Sequence, residues 1–312
     1  MSLAPSALPI GIHGIEKRFG SLSILSDLSL DVAAGEFLTL LGPSGSGKTT
    51  LLMILAGFVR ANAGSIKVGG EEIITMPPHR RNIGMVFQNY ALFPHMNVFH
   101  NVAFPLKQRR ASVADTREPL SALDKGLREH MQIELRNLHR RLGMTTVYVT
   151  HDQREAITMS DRIAVMNAGR IEQIDQPEAL YAKPKTKFVA GFIGESNFIP
   201  VECRNGSVWY EDRKLRMNDP PPAAGPHLMV VRPEKLRLIA DTDQSGLNML
   251  PATVGDVIYQ GDSFICYATL RDGRQVTLRD YCRSDVLAKL PAPGEPITLG
   301  IDAQDVVLVA DQ

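Results

Sequence analysis

The stretch FLTLLGPSGSGKTTLLMILA, residues 37–56, constrains the fold more than any other part of the chain. A short apolar run, a glycine-rich turn and a second apolar run follow one another, which reads as strand, loop and helix. Within it, Gly42-x-x-x-x-Gly47-Lys48-Thr49 has the spacing of a phosphate-binding loop in the strand-to-helix setting such a loop requires. Glycines let successive backbone N–H groups turn toward one phosphate chain, and the helix N-terminus adds positive potential. Lys48 is expected to reach the β and γ phosphates, and Thr49 to ligate Mg²⁺. The nucleotide-contacting set expected here is Gly42, Ser44, Gly45, Gly47, Lys48, Thr49 and Thr50. This pattern implies nucleoside triphosphate binding, and it does not choose among kinases, GTPases, motors and transporters.

With 312 residues the chain has room for two domains, each with its own core. Lys plus Arg and Asp plus Glu both total 34, so no global field favours nucleic acid or an acidic surface. Cys203, Cys266 and Cys282 form no C-x-x-C pair and suggest reduced structural thiols rather than a zinc site. The N-terminal MSLAPSALPIGIHG has no cationic start, and no run of 18 apolar residues occurs, so a cytosolic chain is expected.

From Ile10 to about Pro200 short β-branched runs alternate with amphipathic stretches, an α/β texture. Beyond it, DPPPAAGP (219–226) is too proline-rich for a helix or central strand. The runs around it alternate like short antiparallel strands, and Arg271-Asp272-Gly273 supplies hairpin-turn chemistry between two of them. The fold expected is an α/β P-loop NTPase core over residues 1–200 and a small all-β, barrel-like domain over 201–312.

Further segments narrow the choice: IEKRFGSLSILSDLSLDVAAGEF upstream of the loop, RNIGMVFQNYALFPHMNV after it, then the long run from Glu118 to Asp175. In the tail stand FVAGFIGESNFIPVE, VRPEKLRL and VIYQGDSFICYATLRDG. Taken together these resemble the ATP-binding cassette (ABC) family, and in particular the ATPases of spermidine/putrescine-type importers. The resemblance implies that Phe19 stacks on adenine, and that Gln88 touches Mg²⁺ and the attacking water. It further implies that Glu118 is the general base, that Ser121 to Asp124 form the loop crossing the dimer interface, and that His151 contacts the γ-phosphate. Tyr90, Leu92, Phe93 and Met96 suit a groove receiving a coupling helix of a permease. Leu127, Met131, Leu135, Leu138 and Leu142 recur near helical spacing and read as core packing. The tail resembles the linker and OB-like TOBE domain of importer ATPases. It lacks the basic and aromatic interleaving of a nucleic-acid surface, so no nucleic-acid partner is expected. The cofactors implied are ATP and Mg²⁺, the latter held by Thr49 and Gln88. The implied setting is a homodimer beneath two transmembrane permease subunits, fed by an extracytoplasmic solute-binding protein, peripheral on the cytoplasmic face of the cell membrane.

One departure stands out. Members of the family place a helical subdomain, a signature motif and an apolar Walker B strand ending in Asp between the glutamine loop and the catalytic glutamate. Here only seven residues, Ala111 to Arg117, separate FPLKQRR from EPLSALD. A mean helix alone takes about 11–12 residues, so no such subdomain fits. Arg117 stands at the usual Asp position, the preceding ADT is polar where a buried strand runs apolar, and no LSGGQ-like string occurs. Asp115 is two residues out of place for metal work. The alternative reading is therefore a degenerate nucleotide-binding subunit, non-hydrolysing or regulatory.

Overall fold

The computed structural model describes residues 7–85, 125–239, 246–282 and 292–311. The chain divides into two compact units, one comprising Met1–Leu38, Gly45–Val149 and Ala168–Arg170, the other Thr39–Ser44, Thr150–Asn167 and Ile171–Gln312. Among the described residues no helix is long and apolar enough to cross a membrane.

In the first unit, β1 (Ile10–Phe19) and β2 (Leu22–Val32) form an antiparallel hairpin, joined by β4 (Ala63–Val68) and β5 (Glu71–Glu72) in the order β2-β1-β4-β5. The pairs Ile10↔Val32 and Ile12↔Leu30 put apolar side chains on one face, and all four are buried. Strand β3 (Phe37–Leu41) is buried at every position, as a run apolar on both faces must be. Later in the chain come β6 (Thr146–Thr150), β7 (Arg162–Asn167) and β8 (Arg170–Asp175).

Helix α1 (Lys48–Ala56) buries Leu51, Ile54 and Leu55. It stops at Gly57, whose φ of 86° lets its N–H return to the Ile54 carbonyl while Phe58 N–H returns to that of Met53. Helix α2 (Lys125–Leu142) corrects the expectation of a core stripe: Leu135, Leu138 and Leu142 are 46%, 50% and 44% exposed. Leu127 and Met131 lie outside the described side chains, and among those described in α2 the buried one is His139, which meets the Phe37 ring edge-on at 5.0 Å and hydrogen-bonds the Met144 carbonyl through Nε2. Periodicity decides which side of a helix is apolar. Burial needs a covering layer as well, and β6 nearby is itself only half-buried from Thr146 to Val149.

In the second unit, α3 (Gln153–Met159), β7, α4 (Pro177–Ala182) and α5 (Lys187–Phe192) surround a core of Leu41, Ala156, Ile163, Val165, Leu180, Val189 and Ile193. The remainder is antiparallel sheet. One sheet runs β11-β10-β9-β12-β18, with β9 (Asn197–Arg204), β10 (Ser207–Tyr210), β11 (Arg213–Leu215), β12 (Gly225–Val231) and β18 (Val307–Ala310). The other runs β13-β17-β14-β15-β16, with β13 (Arg237–Leu238), β14 (Leu247–Tyr259), β15 (Ser263–Leu270), β16 (Gln275–Tyr281) and β17 (Pro296–Asp302). Both contribute to one core, Ile199, Val201, Met229 and Val231 from the first and Leu250, Phe264, Leu278 and Leu299 from the second. Cys203 and Cys266 are buried thiols within it. The β15–β16 turn is where the sequence places it: Gly273 has φ 83°, and Asp272 Oδ1 accepts the Arg274 N–H at 3.0 Å.

Candidate nucleotide site

The loop between β3 and α1 takes its shape from packing underneath it. Gly47 has φ 97°, and a Cβ there would lie 2.6 Å from Leu25 Cδ2 and 3.1 Å from the Ile24 carbonyl oxygen. Only glycine fits this position, because both the backbone conformation and the neighbouring strand refuse a side chain. The loop is further tied down by Gly169 N–H, which donates to the Ser46 carbonyl at 3.2 Å, while the Gly169 carbonyl accepts Ser26 N–H at 3.1 Å. Above this floor Gly45, at φ 81°, faces open space, with nothing within 4 Å of where a Cβ would be. Ser44, Gly45 and Thr49 are exposed, Pro43 and Thr50 intermediate, and Gly42 and Ser46 buried. The result is a glycine-rich turn open to solvent at the start of a helix, the arrangement that binds anions.

Lys48 opens α1 and is 8% exposed, with Nζ 3.2 Å from Ser46 Oγ. Burial pulls its ammonium below the ordinary lysine value. An anion seated over the loop would offset that cost.

Phe19 ends β1 and is 53% exposed. Lys17 Nζ sits 4.5 Å from the ring centroid and donates to the Arg60 carbonyl at 2.8 Å, which fixes the ring at the surface as a flat aromatic platform.

In the other unit, His151 is exposed directly after β6. Its backbone is set by its neighbours: Asp152 N–H donates to Thr150 Oγ1 at 3.0 Å, and Thr150 Oγ1 donates to Glu155 Oε2 at 2.7 Å. Asp152 also caps α3, its Oδ1 accepting Arg154 N–H at 2.8 Å. The imidazole is thus held on a short, capped turn and left open to solvent.

Gln88, Glu118 and the 121–124 segment lie outside the described residues, as do Tyr90, Leu92, Phe93 and Met96. Arg81 was not legible as a site residue in the sequence, because its partners are carbonyls as many as 27 positions away. It is 6% exposed, and its Nη1 donates to the Ile54 and Leu55 carbonyls at 2.7 and 2.8 Å.

A family model described as ABC transporter matches residues 25–166, and one described as TOBE domain matches residues 229–309. The spermidine/putrescine import ATP-binding protein PotA of Rubrobacter xylanophilus is 38% identical over 357 aligned positions, which cover 96% of this chain and 93% of that protein. PotA 2 of Pseudomonas aeruginosa is 38% identical over 325 positions, covering 85% of this chain and 88% of the relative. PotA of Thermobifida fusca is 39% identical over 310 positions, covering 81% of each. In the Rubrobacter alignment the 357 positions take up about 300 residues of this chain, 96% of 312, so about 57 positions face gaps in it. In the first Pseudomonas alignment 325 positions take up about 265 residues, 85% of 312, leaving about 60. Similarity of this strength over nearly the whole of both chains means that the chain belongs to the ABC transporter family, as an ATPase cassette followed by a TOBE domain.

Proposed function

We propose that this chain is the ATP-binding subunit of an importer for polyamines such as spermidine and putrescine, bound to the cytoplasmic face of the membrane through two permease subunits. The observation that carries the nucleotide part is the glycine-rich turn itself, with open space over Gly45, a floor made by the close approach of Gly47 to Ile24 and Leu25, and the first turn of α1 directly after it. The residues present fit a triphosphate: backbone N–H groups of 45–49, the Lys48 ammonium, and the exposed Thr49 hydroxyl for Mg²⁺. Phe19 presents a ring face suited to a nucleobase. Glu118 as base, Gln88 as second Mg²⁺ contact and His151 as γ-phosphate contact complete the proposed set. Phosphoryl transfer of this kind depends mainly on positioning and on electrostatic stabilisation of the transferring group. The cargo rests on the names of the relatives. The domains proposed are an ABC-type nucleotide-binding domain over 1–200 and a TOBE-like β domain over 201–312, a division supported by the start of β9 at Asn197. The assembly proposed is a homodimer, with an extracytoplasmic solute-binding protein delivering cargo to the permease.

Titration calorimetry of the purified chain with MgATP tests the nucleotide part, since Lys48→Ala should weaken binding at least tenfold by removing a charge-assisted contact. Equal affinity in parent and variant would refute it. Unchanged putrescine and spermidine uptake after deletion of the whole operon would refute the cargo.

A second reading, a subunit that binds nucleotide without turning it over, is favoured by two facts. About 57–60 aligned positions of the relatives face gaps here, and the α2 leucines are left half-exposed. Phosphate release measured with and without permease separates the two readings.

A further inference from the structure

We infer that Arg81 is a positioning residue for the nucleotide site: it locks the far end of the helix that carries Lys48 and Thr49 onto the 74–76 segment. The inference rests on the phosphate-site reading of the 42–49 loop.

The last carbonyls of any helix lack partners within it. In α1 the Met53 carbonyl accepts the N–H groups of Phe58 and Val59, and that of Ile54 accepts Gly57 N–H at 3.1 Å. Arg81 Nη1 then supplies a second donor to Ile54 and a donor to Leu55. The rest of the guanidinium faces the other way, with Nε on the Met76 carbonyl at 2.9 Å and Nη2 on the Ile74 carbonyl at 2.8 Å. One planar cation thus joins four carbonyls on two segments, a task for which an ammonium has too few donors and no fixed fork. The charge also lies at the negative end of the helix.

Gly57 makes the lock specific. A Cβ there would lie 2.6 Å from Arg81 Nε and 2.8 Å from Cζ, so the guanidinium rests against bare backbone. Among the described residues every hydrogen bond of Arg81 goes to backbone oxygen, so its side chain reads the position of the chain and not that of another side chain.

Helix α1 has nine residues, about 13 Å at 1.5 Å per residue, and is too short to bend independently at its two ends. A shift at Ile54 and Leu55 is therefore passed to Lys48. Misplacing a positioned group by about 1 Å costs on the order of 100-fold.

The test compares parent, Arg81→Lys, Arg81→Met and Lys48→Ala as full chains, titrated with MgATP by calorimetry well below each melting temperature. Arg81→Lys keeps the charge, and the proposal expects it to weaken MgATP about tenfold while its far-UV circular dichroism matches the parent. Arg81→Met should weaken binding at least as much, and if it fails to fold Arg81→Lys alone decides. A merely structural role would lower the melting temperature of Arg81→Lys and leave its affinity at the parent value, and that result overturns the proposal. If Lys48→Ala also binds like the parent, the phosphate-site reading itself fails. If Lys48→Ala loses binding while both Arg81 variants keep it, only the positioning role fails.

Discussion

The side-chain oxygen of Gln153 accepts the backbone N–H of Gly194 at 3.0 Å, which ties the turn bearing His151 to the loop leading into the all-β part of the same unit. Gly194 is held from the other side by Arg232. Its Nη1 donates to the Ile193 carbonyl at 2.6 Å and to the Glu195 carbonyl at 3.2 Å, and its guanidinium lies 4.1 Å from the Tyr181 ring centroid. Burial together with a hydrogen bond to Glu234 pushes the Tyr181 phenol up to about 12, so the ring stays neutral and its hydroxyl keeps donating to Glu234.

Gly194→Ala should therefore be costly. The position has φ 74°, and a Cβ would lie 2.7 Å from Tyr181 Cε2, a ring that cannot withdraw without breaking its contacts to Arg232 and Glu234. Left-handed backbone costs about 1–2 kcal/mol and overpacking about 1–3, so a loss of roughly 2–4 kcal/mol is expected in urea unfolding. An unchanged midpoint would contradict this account of the knot.

Much of this molecule is legible in its sequence, for local reasons. The loop at 42–49 is announced by its own glycines and by the apolar runs on both sides, and the hairpin at 271–274 by Asp-Gly. Arg81 and Arg232 are not legible, because carbonyls have no side-chain identity to read and Arg232 reaches as far as 51 positions to the Tyr181 oxygen. The α2 stripe shows the opposite failure. Leu135, Leu138 and Leu142 have the period of a buried face, yet period says nothing about whether a partner layer exists.

Lys48 predicts a pH dependence with a definite sign. Burial lowers its pKa from 10.5, so between the lowered value and 10.5 the unfolded chain holds more proton than the folded one. The Lys48 contribution to stability therefore rises with pH across that window. Binding works the other way, because a phosphate beside the ammonium favours the charged form. MgATP binding should take up a proton there, and affinity should fall as pH rises. Calorimetry at pH about 9–10 in two buffers of different ionisation enthalpy reads the uptake directly. Equal apparent enthalpies, after correction for MgATP itself, would exclude it.

Asn197 joins the two large sheets through a two-way amide pair. Its Nδ2 donates to the Thr277 carbonyl at 2.8 Å, and its Oδ1 accepts Thr277 N–H at 2.7 Å, with the residue 7% exposed. Asn197→Ala leaves the half-buried Thr277 N–H and carbonyl without these partners and should cost about 1–3 kcal/mol. Asn197→Asp keeps the bond from Thr277 N–H but sets a carboxylate oxygen against the Thr277 carbonyl, which only a proton relieves. The introduced carboxyl should have a raised pKa in the folded state, so the variant is least impaired at acid pH and loses stability as pH rises from the unfolded carboxyl value to the folded one. Urea midpoints at several pH values, each referred to the parent, measure this. A deficit that does not grow with pH would show that the pair is not formed as described.

The last prediction concerns the positions that face gaps in this chain. Among the described residues Leu135, Leu138 and Leu142 of α2 are half-exposed, and in the sequence only the seven residues Ala111 to Arg117 lie between Arg110 and Glu118. In the homodimer proposed above, the signature segment of the partner subunit would clamp each bound ATP, and a chain lacking that segment would lose donors at both sites. Losing even one preorganised donor typically costs about 10²- to 10³-fold in rate. Insertion between Arg110 and Glu118 of a family-like segment carrying a signature motif should therefore have two separate effects. Phosphate release by the purified chain should rise by at least about 100-fold. Fluorescence of a hydrophobic dye bound to the chain should fall, since Leu135, Leu138 and Leu142 would gain a covering layer, and Leu138→Glu should then destabilise the restored chain far more than the present one. Rapid phosphate release before the insertion would show that the chain closes its catalytic site by some other route, whereas dye binding that stays unchanged after it would separate the exposed leucines from the gap.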